Sequence, residues 1–160
     1  MAWTNSKVFG IAVYNSLTKQ TNSIDLDGDT FYAALYNNTT ITPDNTVTTA
    51  NSSYNAGQWA TANEVYQAVQ WPQAGVTIGT VSVTAPSAGV SATTTFTVSG
   101  GTTSSGSAAT LSGVYGCLVY DNTATGKPGL CYNYFGGSQS VTAGTFTIAW
   151  NASGIATFAA

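Results

Sequence analysis

Along most of the chain apolar and polar residues alternate with period two, the mark of half-buried strands. In "TTFTVS" Phe96 and Val98 fall on one face, Thr95 and Thr97 on the other. "GTFTIAW" sets Phe146, Ile148 and Trp150 on one face, and "GIATFA" supplies a closing strand. "VTIGTVSV" alternates through Val76 and Ile78 and resumes at Val81 and Val83, so the slip at Gly79 predicts a bulge or bend. "DTFYAALY" carries Phe31, Ala33 and Leu35 on one face and Tyr32, Ala34 and Tyr36 on the other; either face can be the buried one.

Two regions depart from this period. Near the N-terminus Val8, Ile11, Ala12 and Leu17 approach a 3.6-residue spacing, which predicts a short helix capped by Thr4 or Asn5. In "WATANEVYQAVQW" Ala62, Val65, Tyr66 and Val69 allow a helix or an irregular crossover. Turn chemistry separates the strands at "TPDN" (42–45), "APSAG" (85–89), "KPG" (127–129) and "NASG" (151–154). The low-complexity stretch "GGTTSSGSAA" (100–109) reads as an exposed loop, because a linker there would leave two halves near the lower size limit of a domain. The expectation is one mostly β domain over 1–160, a sandwich or barrel of jelly-roll or immunoglobulin-like type with a short N-terminal helix.

Composition narrows the function. Charged residues are 6 % of the 160, against the roughly 25 % usual in soluble domains, so Thr, Ser, Asn, Gln and Gly must make the surface. A chain with so little charge has weak electrostatic protection against association, which fits an assembled state. Net charge is −3, and Lys7, Lys19 and Lys127 are the whole basic complement, so a nucleic-acid partner is not expected. No apolar run reaches the roughly 20 residues of a membrane span, and the N-terminus reads as part of the mature fold.

The absence of histidine removes Ser-His-Asp and Cys-His machinery and His-ligated zinc. A carboxylate pair such as Glu64 with Asp121 is the remaining glycosidase candidate, and it needs both groups across one sugar cleft. No catalytic residue and no cofactor is expected. "DLDGD" spaces Asp25, Asp27 and Asp29 as a calcium loop begins, but the glycine and glutamate that would complete an EF-hand are replaced by Thr30 and Tyr36. The three aspartates therefore read first as a polar turn whose side chains bond backbone N–H groups, and second as candidate calcium ligands.

Cys117 and Cys131 lie in two apolar segments joined by "DNTATGKPG". A hairpin centred near Ala124 would set them opposite each other, as a disulfide or as two buried thiols. Trp3, Trp59, Trp71, Trp150 and the cluster "YNYF" suit a core or an interface, or a sugar-stacking platform. Sequons at Asn37, Asn38, Asn51 and Asn151 carry little information in a chain this rich in Asn, Ser and Thr.

The stretches "DLDGDTFYAALYNNTTITPD", "YNAGQWATANEVY", "LSGVYGCLVYDN" and "CYNYFGGSQSVTAGTFTIAWNASGI" together resemble a family of small virion structural proteins of tailed bacteriophages, especially those of actinobacteria. The chain departs from that pattern at Tyr32, where a basic residue is common, and in its low charge. The resemblance implies a non-enzymatic protein of the virion. It would be a capsid decoration or minor head protein bound as an oligomer to the major capsid protein, or else a tail-surface or fibre-associated protein. A glycan-binding adhesion module is the alternative from another class.

Overall fold

In the computed structural model, which describes residues 3–41, 43, 52–84, 93–98 and 101–159, the alternating segments become strands. These are β1 Lys7–Val8, β2 Phe31–Tyr36, β3 Val76–Thr77, β4 Val81–Thr84, β5 Thr93–Val98, β6 Thr102–Ser104, β7 Ala109–Asp121, β8 Gly129–Gly144, β9 Thr147–Ala149 and β10 Ala156–Ala159, with one helix, α1 Gly10–Thr18. The protein is mostly β, as its periodicity requires. A five-stranded sheet has the order β1-β8-β7-β2-β3, a three-stranded sheet the order β10-β5-β4, and β6 pairs with β9. Every pairing is antiparallel. Phe31 meets Phe96 edge-on at 5.0 Å, joining the larger sheets through a core that runs from Trp3 to Ala156.

The ambiguity over the faces of β2 resolves as burial of both. Phe31, Ala33, Ala34, Leu35 and Tyr36 are all inaccessible to solvent or nearly so, because β2 lies inside the sheet and is covered on each side. The slip at Gly79 is a change of sheet. β3 ends the five-stranded sheet, Ile78 donates its N–H to the Phe31 carbonyl, and after Gly79 at φ 93° the chain enters β4 of the other sheet. Phe96, Phe146 and Ile148 point inward as expected, and Trp150 is half-buried. The predicted turns at 42–45 (in part) and 85–89, Asp44, Asn51 and the side chain of Val98 lie outside the described residues.

Three expectations are corrected. The N-terminal helix is capped by Phe9, without a side-chain bond, and not by Thr4 or Asn5. Lys7 and Val8 are instead drawn into β1 against Tyr132 and Cys131, which suits the β-branched Val8. The inward face of α1 is then Ala12 and Asn15, which rotates Leu17 out to 80 % exposure. The middle of "GGTTSSGSAA" is strand β6, not a loop. Thr103 is buried there, donating to the Ile78 carbonyl at 3.2 Å and accepting from Trp150 Nε1 at 2.8 Å. The region "WATANEVYQAVQW" is the irregular crossover, made of 3-10 turns Gly57–Trp59 and Thr61–Asn63 and isolated bridges Tyr36 to Glu64 and Gln67 to Trp71.

The third correction concerns the hairpin of β7 and β8. Its pairs are Cys117 with Asn133 and Val119 with Cys131, so its centre falls one residue later than Ala124 and the cysteines sit diagonally. Both are free, buried thiols. Burial pushes each thiol up, Cys131 to about 12, so neither is a thiolate at neutral pH. Further along, Val114 pairs with Gln139 but Gly116 with Tyr134, which leaves the run Phe135–Ser138 bulged out of β8.

Gly75 sits at φ +82° where β2 and the crossover touch, and a Cβ there would collide with the Ala33 carbonyl and the Ala34 nitrogen. Replacing Gly75 by Ala is expected to cost about 3 kcal/mol, from overpacking and backbone strain together, and to lower Tm by roughly 6–12 °C. Thermal melting of Gly75→Ala beside Gly126→Ala is the check. Gly126 also has positive φ but open space around its Cα, so its variant should lose clearly less.

Candidate functional site

The two carboxylates that could have formed a catalytic pair stand at opposite ends of β2. Glu64 bridges to Tyr36, and Asp121 pairs with Phe31. At about 3.3 Å per residue, those ends are roughly 17 Å apart, against roughly 5–9.5 Å between the carboxyl groups of glycosidases. Each instead anchors its own surroundings.

Glu64 organises a ring of tyrosines. Its Oε2 accepts from Tyr54 Oη at 3.1 Å and its Oε1 from the Ala74 N–H at 2.8 Å. Tyr120 donates its hydroxyl to the Ala74 carbonyl at 2.8 Å and stacks on Tyr54 with centroids 4.6 Å apart. Tyr36 donates to the Trp59 carbonyl at 2.7 Å, and Lys127 Nζ lies 5.5 Å from the Tyr54 ring centre. Burial raises Glu64 to about 7, although both of its hydrogen bonds pull the other way. Burial and the nearby Glu64 together hold the Tyr36, Tyr54 and Tyr120 hydroxyls protonated. The network clamps the crossover to the sheet. Nothing in the sequence spacing pointed to it, because its members are brought together only by the way the crossover folds back.

At the other end the acidic turn forms as a turn. Asp25 Oδ1 accepts from the N–H groups of Asp27 and Gly28, each at 3.1 Å, and Asp29 Oδ2 accepts from the Asp25 N–H at 2.9 Å. The turn docks on the tip of the β7–β8 hairpin: Thr30 N–H donates to Thr123 Oγ1, and Asn122 N–H to the Thr30 carbonyl, both at 2.9 Å. Asp121 caps that tip, its Oδ1 accepting from Thr123 and Ala124. Its carboxyl is pushed up to about 7, first by burial and then by a hydrogen bond shared with the Asp29 carboxyl. Among the described residues, no three His, Cys, Asp or Glu side chains gather as metal ligands, so Asp25, Asp27 and Asp29 do not converge.

Of the tryptophans proposed for sugar stacking, Trp3, Trp59 and Trp71 are core residues and Trp150 is half-buried. Trp59 is fully buried, packed edge-on by Trp3, Phe9 and Tyr36, and Trp71 is fully buried against Phe146. Trp71 Nε1 donates to the Ala33 carbonyl at 3.2 Å. Among the described residues no helix is long and apolar enough to cross a membrane. No protein-family model, no curated protein and no solved structure matches the chain.

The raised Glu64 carboxyl has a defined consequence for stability. Between the ordinary carboxylate range and pH 7 the folded state holds a proton that the unfolded state releases. The contribution is therefore complete at low pH and is lost as pH rises through about 7. The difference in stability between wild type and Glu64→Gln should narrow or change sign from pH 5 to pH 8, by on the order of 2 kcal/mol. Urea denaturation at both pH values measures it. A wild-type-minus-variant difference that stays constant with pH would contradict the assignment.

Proposed function

We propose that this protein is a non-enzymatic structural component of a tailed-bacteriophage virion, a capsid decoration or minor head protein that binds the major capsid protein and associates with further copies of itself. The observation that carries this reading is the placement of large apolar side chains on the outside of a chain that has little charge. Tyr14 and Leu17 lie on the outer face of α1, 57 % and 80 % exposed, and on the crossover Tyr66 and Val69 are 49 % and 83 % exposed. Interface centres are depleted in charge and rich in aromatic and aliphatic contacts, so such a surface loses little on being covered. Glu64 and Asp121 support the non-enzymatic part, since each is taken up in holding a loop on the sheet. The sequence resemblance supplies the particle.

Reconstruction of purified virions, with mass spectrometry of their proteins, tests the reading. Density for this chain on the head shell is the expected result. Density on the tail would move it to a tail-surface role, and absence from the particle would remove both. At the residue level, Leu17→Asp should change folding stability by no more than about 0.5 kcal/mol, as exposed substitutions do. It should nevertheless reduce incorporation into particles; full incorporation of the variant would exclude the α1 face as the contact.

A further inference from the structure

The free edge of β4 borders a groove that it shares with the acidic turn. β4 ends the order β10-β5-β4 and pairs with β5 without a break, from Val81 opposite Val98 to Thr84 opposite Thr95, so its other edge has no strand beside it among the described residues. Phe96, opposite Val83, gives its carbonyl to the Ile155 N–H on the β10 side. Phe96 and Val83 are therefore a non-hydrogen-bonded pair, and Val83, like Val81 two residues before it, turns its N–H and C=O to the free edge. Such edges are ordinarily blunted by charge, proline or a bulge, and β4 carries none of these. Two depressions that meet at Asp27 lie along it. One, about 510 Å³, is lined by Val83 with Ile24 and Leu26; the other, about 450 Å³, is lined by Val81 and Thr80 with Asp29 and Thr30.

We propose that β4 accepts an extended segment of a partner protein as a fourth strand, and that this segment carries an apolar side chain and a lysine or arginine two positions apart. The outward groups of Val81 and Val83 supply the backbone bonds of strand addition, and pockets for alternate side chains supply its specificity. Val81 and Val83 are themselves two residues apart, the period at which a strand repeats its side chains on one face, so an added strand sets one side chain in each depression. The depression at Val83, with Ile24 and Leu26, takes the apolar one. The depression between Asp27 and Asp29 takes the cation: three of the chain's six carboxylates stand in this turn, and no lysine lines either depression. Asp27 is exposed, and its carboxylate is bonded by no described residue. A second copy fits less well, because pairing β4 with β4 across a two-fold axis would set one acidic turn against the other. The recognition chemistry is the same whichever protein carries the segment.

The test uses the full chain, labelled with nitrogen-15 and titrated at neutral pH with the capped peptides TTLTKTT and TTKTLTT, which present the two anchors in either strand direction. One of them should bind with a Kd on the order of 100 µM and shift the amide signals of Val81 and Val83 most, leaving those of Tyr14 and Leu17 on the α1 face in place. Glutamate in place of the peptide lysine should weaken binding at least about tenfold, and Asp27→Asn should weaken it about threefold. No shift with either peptide up to about 2 mM, equal affinity for the glutamate peptide, an affinity unchanged in Asp27→Asn, or shifts centred away from β4 would overturn the proposal. So would concentration-dependent broadening of the Val81 and Val83 signals in the free protein, which would give the edge to a second copy. Failure here leaves the virion reading standing, since no virion protein enters the test.

Discussion

The structure depends on how the second edge of β2 is closed. One edge pairs along its whole length with β7, from Phe31 opposite Asp121 to Tyr36 opposite Gly116. The other faces no comparable strand, yet β2 is buried, and a buried row of unpaired backbone groups is not tolerated. The crossover and the segment that follows it to Ile78 meet this demand piece by piece. Ile78 N–H bonds the Phe31 carbonyl, the short β3 pairs at Tyr32 and Ala33, Trp71 Nε1 reaches the Ala33 carbonyl, and Val65 N–H bonds that of Leu35. Gly75 lets the backbones approach closely enough for this to work. The Glu64 and tyrosine network then holds the irregular segment in place.

This explains why a protein with so few ionisable groups buries two of its carboxylates. Loops that substitute for strands need acceptors for their free N–H groups, and a carboxylate accepts several at once. Glu64 does this for the crossover and Asp121 for the hairpin tip. Burial costs each group its ordinary acidity, and the cost is bearable where the loop would otherwise leave donors unmet.

The strands were legible because period-two alternation reports burial directly, as at Phe96 and along Phe146 and Ile148. Central β2 showed its position only indirectly, through having no polar face to expose. The illegible parts are those fixed by distant pairing. Val8 belongs to a strand only because Cys131 is beside it, and β6 forms in a Ser-, Thr- and Gly-rich stretch because Thr103 finds Ile78 and Trp150. A hairpin centre one residue from its expected place was enough to turn an opposed cysteine pair into a diagonal one. For the acidic turn, sequence identified the local hydrogen bonding but could not supply Asp121, which the hairpin brings to it.

The pairing of β1 with β8 also bears on how the protein is made. Tyr134 N–H reaches Ser6 Oγ across 128 residues, and Trp3 packs against Tyr132 and Tyr134 in the same corner. Contacts between such distant parts of a chain form late and slowly, since a large loop must close before they contribute. During translation β1 leaves the ribosome long before its partner does, and it waits with Trp3 and Phe9 unprotected. The sheet closes only after β8 has emerged, so the nascent chain depends on fast completion, or on a chaperone, to keep that aromatic corner from other chains.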